Sequence, residues 1–125
     1  MIEQSGNSVD PTTFDVAKHQ VGGAVVLSVS GEVDMLSAPQ LAEAIRATLA
    51  AGPPALVIDL TKVDFLASAG MTVLVTAQAE VAPPTQFAVV ANGPATSRPI
   101  KLMGLDSILS LYSTLDSALS RLADG

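Results

Sequence analysis

Hydrophobic and polar positions near the start of the chain alternate as they do in half-buried β-strands. Residues 14–20 alternate weakly, and V-G-G at 21–23 has the composition of a hairpin turn. Residues 24–33 alternate clearly, with an apolar side chain at every second position from Val25. These patterns predict two strands that pair in antiparallel fashion.

From Ser37 the apolar positions take a helical spacing. Ser37 is a suitable N-cap and is followed by a proline in the first turn. Leu41, Ile45 and Leu49 form the predicted buried stripe, and Gly52 with two prolines ends the segment. The pattern therefore predicts a helix between Ser37 and Gly52.

Two continuous apolar runs, residues 55–60 and 86–91, are rich in β-branched side chains and show no alternation. Runs of this kind are typical of central strands that are covered on both faces. A loop is predicted over residues 61–67, after the first run. A helix from Ser68 to about Ala82 follows the loop and is closed by two prolines.

The last third of the chain predicts a short helix over residues 97–103, a possible edge strand over 108–112, and a final helix capped by Ser113. Leucines recur at helical spacing in this last helix. Two antiparallel strands followed by alternating helices and strands predict an α/β fold. Its centre is one small mixed sheet with a parallel portion, and helices pack on the sheet faces.

The length and composition of the chain predict a single domain. With 125 residues, of which 49% are hydrophobic, the chain has enough apolar material for one globular core. Residues 1–12 are predicted to be a flexible N-terminal tail, and residues 13–125 to form the domain. The chain has no cysteine, which excludes disulfides and thiolate zinc sites. No secretory signal is visible, and the cytoplasm is the expected compartment.

The charge disfavours two classes of partner. The formal net charge is −6 and the pI is about 4.4, so the overall field repels phosphate backbones and anionic lipid heads. Aromatic residues make up only 3%, which leaves few platforms on which bases could stack. Direct binding to nucleic acid or to a membrane is therefore not expected.

Ser68 is the main candidate for chemistry. At the predicted start of a helix, its hydroxyl is placed to accept a hydrogen bond from the backbone N–H of Gly70 or Met71. A helix start also has unpaired N–H groups and the positive end of the helix dipole, which would stabilise a phosphoryl group on this residue. Both a capping role and a phosphorylation site are consistent with this position.

The segment L-A-S-A-G-M at 66–71 resembles the x-D-S-S-G-L signature of STAS-domain anti-sigma factor antagonists. Residues 31–34, 56–60 and 103–116 resemble further stretches of this family in matching order, and the likeness extends from Val16 to Leu122. The resemblance implies a STAS-like domain, with a mixed sheet of four or five strands and about four helices.

The resemblance also implies a function. Proteins of this family are not enzymes and need no cofactor; each binds an anti-sigma factor that has a histidine-kinase-like ATPase fold. The partner uses ATP and Mg²⁺ to phosphorylate the first serine of the signature, which corresponds to Ser68, and then loses affinity. The unphosphorylated protein holds the anti-sigma factor and frees the sigma subunit for transcription, and a metal-dependent serine phosphatase resets the cycle.

Residues around Ser68 are expected to contact the partner. By resemblance, the turn that carries Asp34 lies on the same rim as the phosphorylated serine, although a turn carboxylate that accepts local N–H groups explains Asp34 as well. Small uncharged side chains near Ser68 would let a partner approach closely. The expected contact residues are Asp34, Met35, Ala67, Ala69, Gly70, Met71, Thr72 and Thr76.

Two other hypotheses remain open. Ala67 stands where the family often has Asp, and Ala69 where it often has Ser or Thr. The chain is therefore alternatively a STAS scaffold subunit of a signalling or transport assembly that is not phosphorylated. A small enzyme or nucleotide-binding domain is disfavoured, because His19 is the only histidine and no phosphate-binding loop occurs. Asp59 lacks the acidic pair of a phosphoaspartate receiver, which favours a structural role.

Overall fold

The structure is a computed structural model, and it describes residues 14–124. The predicted tail over residues 1–12 lies outside this range. In chain order the elements are β1 (Asp15–Val21), β2 (Ala24–Val33), α1 (Ala38–Ala50), β3 (Ala55–Leu66), α2 (Ser68–Glu80), β4 (Gln86–Val90), α3 (Ser97–Leu102), a 3-10 turn (Leu105–Ser107), β5 (Leu111–Tyr112) and α4 (Leu115–Asp124).

The predicted mixed sheet is confirmed. Within the described residues it has five strands in the order β1-β2-β3-β4-β5. The hairpin pairs β1 with β2 in antiparallel fashion, whereas the three remaining strand pairs are parallel. Helical connections after β2, β3 and β4 return the chain to the opposite end of the sheet, as parallel neighbours require. The α/β class expected from the pattern is therefore correct.

The predicted loop over residues 61–67 is wrong, because β3 continues as a strand to Leu66. Its partner β2 runs to Val33 and pairs with this extension. The register of β2 and β3 shifts twice. At the first shift, one residue of β2 lies opposite the two residues of β3 between Asp59 and Lys62. At the second shift, Asp64 of β3 has no partner residue on β2. These bulges interrupt the alternation of side chains, which explains why the strand pattern ends early in the sequence.

The sheet separates two apolar layers. The larger cluster contains alternate residues of β2 and β3 together with buried side chains of α1, α2 and α3, among them Leu41, Leu74 and Ile100. On the opposite face, Val26 and Val57 belong to a smaller cluster that includes Ala118 of α4. The strands β3 and β4 contribute to both clusters and are thus covered on two faces, as their continuous apolar runs predict. The first half of β2 is also buried on both faces, although its alternation predicted a half-buried strand.

Two helix caps differ from the sequence predictions. The final helix is capped by Thr114 rather than Ser113, since the Thr114 hydroxyl accepts a hydrogen bond from the Ser117 N–H at 3.1 Å. Ser37 precedes α1 as predicted, but its hydroxyl makes no cap hydrogen bond. That hydroxyl donates instead to the Glu32 carbonyl at 2.8 Å, which ties the start of α1 to the end of β2.

Candidate functional site

The candidate site lies at the edge of the sheet where β2 and β3 end, here called the carboxyl edge. The Ala67 N–H donates to the Val33 carbonyl at 2.9 Å and joins the ends of the two strands. A short turn containing Asp34 follows β2, and α2 follows β3. Because β2 and β3 are parallel neighbours, Asp34 and Ser68 come to the same edge of the domain.

Ser68 is exposed and is the first residue of α2. Ala67 occupies the N-cap position, and its carbonyl accepts from the N–H groups of Gly70 and Met71 at 3.0 and 3.1 Å. The predicted capping bond from the Ser68 hydroxyl is therefore wrong: Ser68 is already inside the helix. Within residues 14–124 this hydroxyl makes no hydrogen bond; only the Ser68 carbonyl does, accepting from Thr72 at 3.0 Å. Its oxygen is accessible for a reaction.

A groove of about 230 Å³ opens beside Ser68 and is called the Ser68 groove. It lies between α2 and the segment that joins α3 to the 3-10 turn. None of its lining side chains carries a charge. The lining residues are Ser68, Met71, Thr72, Val75, Thr76, Met103 and Leu105.

Two residues predicted to contact a partner are buried. Gly70 has no side chain, and a Cβ at this position would lie 2.6 Å from Val33 Cγ1 and 2.7 Å from Leu66 Cδ1. Glycine therefore lets α2 start close to the ends of both strands. Met71 is 8% exposed and belongs to the lining of the Ser68 groove. Little of either residue is thus accessible in the free domain, and contact of Gly70 and Met71 with a partner stays a prediction.

The other predicted contact residues are accessible to different degrees. Thr72 and Thr76 are exposed one and two turns beyond Ser68, and Ala67 and Ala69 are half-buried beside it. Met35 is 76% exposed in the turn after β2. The structure thus places these residues on or next to the carboxyl edge.

Asp34 is held by a local network. Its Oδ1 accepts from the N–H groups of Leu36 and Ser37, at 2.9 and 3.0 Å, and lies 3.1 Å from the Ser37 hydroxyl. Hydrogen bonding, first from the Ser37 N–H, holds the pKa of Asp34 below its usual 3.8, although desolvation acts in the opposite direction. The carboxylate is therefore ionised at neutral pH, and the interpretation as a turn carboxylate is confirmed.

The sequence predictions missed three large apolar side chains near this edge. Leu36 is 82% exposed, Met103 64% and Phe65 51%. Large exposed apolar side chains near a candidate site are candidates for contact with a partner. For Leu36 the sequence V-D-M-L-S at 33–37 contains an indication of exposure. Met35 and Leu36 are large apolar residues in a turn, where polar residues are usual.

Other candidate groups lie elsewhere. His19 is exposed on β1 and pairs with Val26 in the hairpin. Asp59 accepts from the Thr61 N–H and hydroxyl at 3.0 and 2.8 Å, which agrees with a structural role. In the part of the chain that the structure describes, no three His, Asp or Glu side chains are placed to hold a metal ion. No helix in that part is long and apolar enough to cross a membrane.

Comparisons with known proteins identify relatives over nearly the whole chain. A family model described as "STAS domain" matches residues 15–118. The anti-sigma-F factor antagonist RsfB of Mycobacterium tuberculosis (strain H37Rv) is 45% identical over 116 residues, which are 93% of this chain and 93% of that protein.

Solved structures agree. A crystal structure of an anti-sigma factor antagonist from Mycobacterium paratuberculosis has a TM-score of 0.87 and 47% identity, and the match covers 91% of this chain and 97% of that one. A putative anti-sigma factor antagonist from Thermotoga maritima, at 21% identity, has a TM-score of 0.79 over 86% of this chain and 94% of that one, which supports the fold. The family match includes both Asp34 and Ser68.

Proposed function

This chain belongs to the STAS domain family, and from this premise we propose that it is an anti-sigma factor antagonist. It binds an anti-sigma factor while Ser68 is unphosphorylated and releases it after phosphorylation of Ser68. Bound in this way, the anti-sigma factor no longer holds its sigma subunit, which becomes free for transcription. Relatives named as anti-sigma factor antagonists at 45% and 47% identity support the proposal.

One observation of the site supports the phosphorylation step: Ser68 is exposed at the start of α2, and its hydroxyl makes no hydrogen bond to any other residue between 14 and 124. The positive end of the helix dipole and unpaired N–H groups of the first turn stabilise an anion there. A phosphoryl group on Ser68 is thus compatible with the fold. We expect it to change the affinity for a partner that binds at the carboxyl edge.

The proposed kinase is the anti-sigma factor itself, with a histidine-kinase-like ATPase fold. The Ser68 oxygen attacks the γ-phosphorus of Mg²⁺-bound ATP, the bond between that phosphorus and the β,γ-bridging oxygen breaks, and ADP leaves. The serine proton passes to a base supplied by the partner. This chain contributes the accessible hydroxyl and catalyses no reaction itself. A metal-dependent serine phosphatase hydrolyses the phosphoserine, and the cycle takes place in the cytoplasm.

Phosphorylation adds about −1.5 to −2 charges at Ser68. In the free protein these charges are hydrated and face a helix N-terminus. In the complex they lose water, and an uncompensated contact of this kind costs up to several kcal/mol. Because about 1.4 kcal/mol corresponds to a tenfold change in affinity, one phosphate is sufficient to release a partner without unfolding the domain.

The test is phosphorylation in vitro. We expect the purified chain, mixed with a cognate anti-sigma kinase and Mg²⁺-ATP, to gain the mass of one phosphate and then to dissociate from the kinase. Ser68→Ala should bind the kinase and gain no mass, because the acceptor oxygen is absent. Ser120→Ala is the matched control: it removes an exposed serine on α4, outside the candidate site, and should still gain one phosphate.

A second candidate function is a STAS scaffold that binds a partner constitutively. Ala67 and Ala69 favour it, because both flanking side chains are apolar and half-buried and give a kinase no acidic group to recognise. Stable binding to the kinase with no gain in mass would support the scaffold and contradict phosphorylation at Ser68. No binding to any anti-sigma factor would contradict the antagonist function itself.

A further inference from the structure

We propose that the Ser68 groove receives one apolar side chain of the anti-sigma factor, and that a phosphoryl group on Ser68 closes the groove to that side chain. The inference rests on the proposed function and adds the chemistry of the contact. On this proposal the partner dissociates because the phosphate prevents an apolar side chain from entering the groove. Repulsion between the phosphate and an acidic group of the partner is not required.

The groove has the size and the composition for such a contact. An apolar cavity of about 150 Å³ is enough to bind benzene, so about 230 Å³ accommodates a phenylalanine or leucine side chain. Met71, Val75, Met103 and Leu105 supply apolar lining, and the remaining lining residues are hydroxyl-bearing. A charged side chain would find no counter-charge in the lining and would lose its hydration, which selects an apolar occupant.

Exposed apolar side chains occur in the groove wall and also in the turn after β2. Met103 lines the groove and is 64% exposed, so its side chain is available to a docked protein. Met35 and Leu36, at 76% and 82% exposure, lie in the turn at the carboxyl edge. In protein interfaces, a few buried anchors in well-packed pockets supply most of the binding energy. The groove offers such a pocket next to the residue that is modified.

Charge complementarity specifies what surrounds the apolar anchor. The Asp34 carboxylate is ionised at neutral pH and lies at the same edge as Ser68, and the whole chain has a net charge of −6. A partner surface with basic groups beside its apolar anchor matches this arrangement and is attracted at long range. The occupant is therefore an apolar side chain on a basic surface of the anti-sigma factor.

The position of Ser68 explains how one phosphate would act. Ser68 is itself part of the groove lining, so a phosphoryl group on its oxygen stands at the groove with a hydration shell. An apolar side chain can enter only if that dianion loses water, and no lining side chain carries a positive charge to replace that water. The partial charge of the α2 N-terminus is present with or without the partner and does not offset this loss. Binding energy that depends on the groove is lost, whereas the fold is unchanged because Ser68 is exposed.

Filling the groove without adding charge tests the proposal. Val75 is half-buried and lines this groove, so Val75→Phe should occupy it. Ala42 is the matched control: it is also half-buried and lines a neighbouring groove of about 190 Å³ between α1 and α2. That groove shares Thr72 and Thr76 with the Ser68 groove but contains neither Ser68 nor Met103. We expect Val75→Phe to weaken binding to the anti-sigma factor by at least about tenfold, and Ala42→Phe to change it by less than about threefold, measured by calorimetry without ATP.

Met103→Ala is a second variant that does not depend on tolerance of a larger side chain, because Met103 is mostly exposed. It removes part of the groove wall and should weaken binding severalfold. Circular dichroism and thermal unfolding of each variant verify the fold. If Val75→Phe fails to fold, Met103→Ala decides: weaker binding supports the groove and wild-type affinity overturns it.

The remaining outcomes separate this inference from the proposed function. If the wild-type chain binds the anti-sigma factor and Val75→Phe binds equally well, the groove proposal is overturned and the antagonist function stands. Equal losses in Val75→Phe and Ala42→Phe also overturn it, since the effect is then not specific to the Ser68 groove. If the wild-type chain binds no anti-sigma factor, both proposals fall.

Discussion

Gly70 illustrates how a single residue sets the geometry of the site. It lies in the first turn of α2, and the side chains of Val33 and Leu66 occupy the space that a Cβ would need. These two residues end β2 and β3 and pair with each other in the sheet. A glycine at this position thus fixes how closely the helix that carries Ser68 approaches the carboxyl edge, and with it the position of the hydroxyl.

Gly70→Ala should therefore destabilise the domain. The added methyl group would lie 2.6 and 2.7 Å from its nearest neighbours, and overpacking of this kind typically costs about 1–3 kcal/mol. Gly23→Ala is the control, because its Cβ would meet only Pro54 at 4.0 Å. Urea unfolding of both variants measures the difference. A Gly70→Ala midpoint equal to that of Gly23→Ala would contradict the close approach described here.

Asp34 gives a prediction on pH. Its pKa is lower in the folded protein than the usual 3.8, so the folded state holds this carboxylate deprotonated more strongly than the unfolded state does. The stabilisation is complete above about pH 5 and is lost as the pH falls through the folded pKa.

Asp34→Asn keeps an acceptor oxygen but removes the charge. We expect the wild type to be more stable than this variant near neutral pH and the gap to shrink below pH 3.8, as measured by urea unfolding across the pH range. A gap that is constant down to acid pH would show that the charge of Asp34 does not contribute to stability.

At the level of elements, the ends of strands and helices decide where the functional groups lie. The β3 strand extends to Leu66 through two bulges, and Gly31 of the neighbouring strand has a φ of 86° beside the second one, a conformation that favours glycine. This extension lets Val33 pair with Leu66, and the adjacent bond between Ala67 and Val33 follows from it. A loop in its place would leave the Ser68 helix without this attachment to β2.

The cap of α4 gives a prediction at this scale. Thr114 accepts from the Ser117 N–H, so Thr114→Ala leaves one donor of the first turn without its partner. The variant should lose about 0.5–2 kcal/mol of stability in chemical unfolding. Ser113→Ala, one residue earlier, should be close to neutral. A larger loss for Ser113→Ala than for Thr114→Ala would show that Ser113 is the cap, as the sequence pattern predicts.

At the scale of the whole molecule, the sheet separates a larger layer, which holds the functional helix, from a smaller one closed by α4. The packing of α2 in the larger cluster buries Met71, Leu74 and Ala77 and leaves Ser68, Thr72 and Thr76 on the outside. A phosphoryl group on Ser68 would therefore lie at the surface and would leave the core undisturbed. The net charge of −6 would act over a longer range, because it attracts a partner surface that carries basic groups.

The sequence by itself determined the fold class and most elements, because burial imposes a repeat of two on strands and a helical repeat on helices. It also made Ser68 the predicted phosphorylation site, since its segment together with three ordered matches resembles one family. The sequence did not reveal the extension of β3, where bulges break the repeat of two. Nor did it reveal that Gly70 and Met71 are buried while Leu36 and Met103 are exposed.

Only the tertiary structure decided these points, because they depend on segments that are distant in the chain. The bond between Ala67 and Val33 places Asp34 beside the helix that begins at Ser68, and the segment after α3 completes the Ser68 groove with Met103. A local pattern records which side chains avoid water, but not which distant neighbours cover them. The candidate site is a product of those long-range contacts.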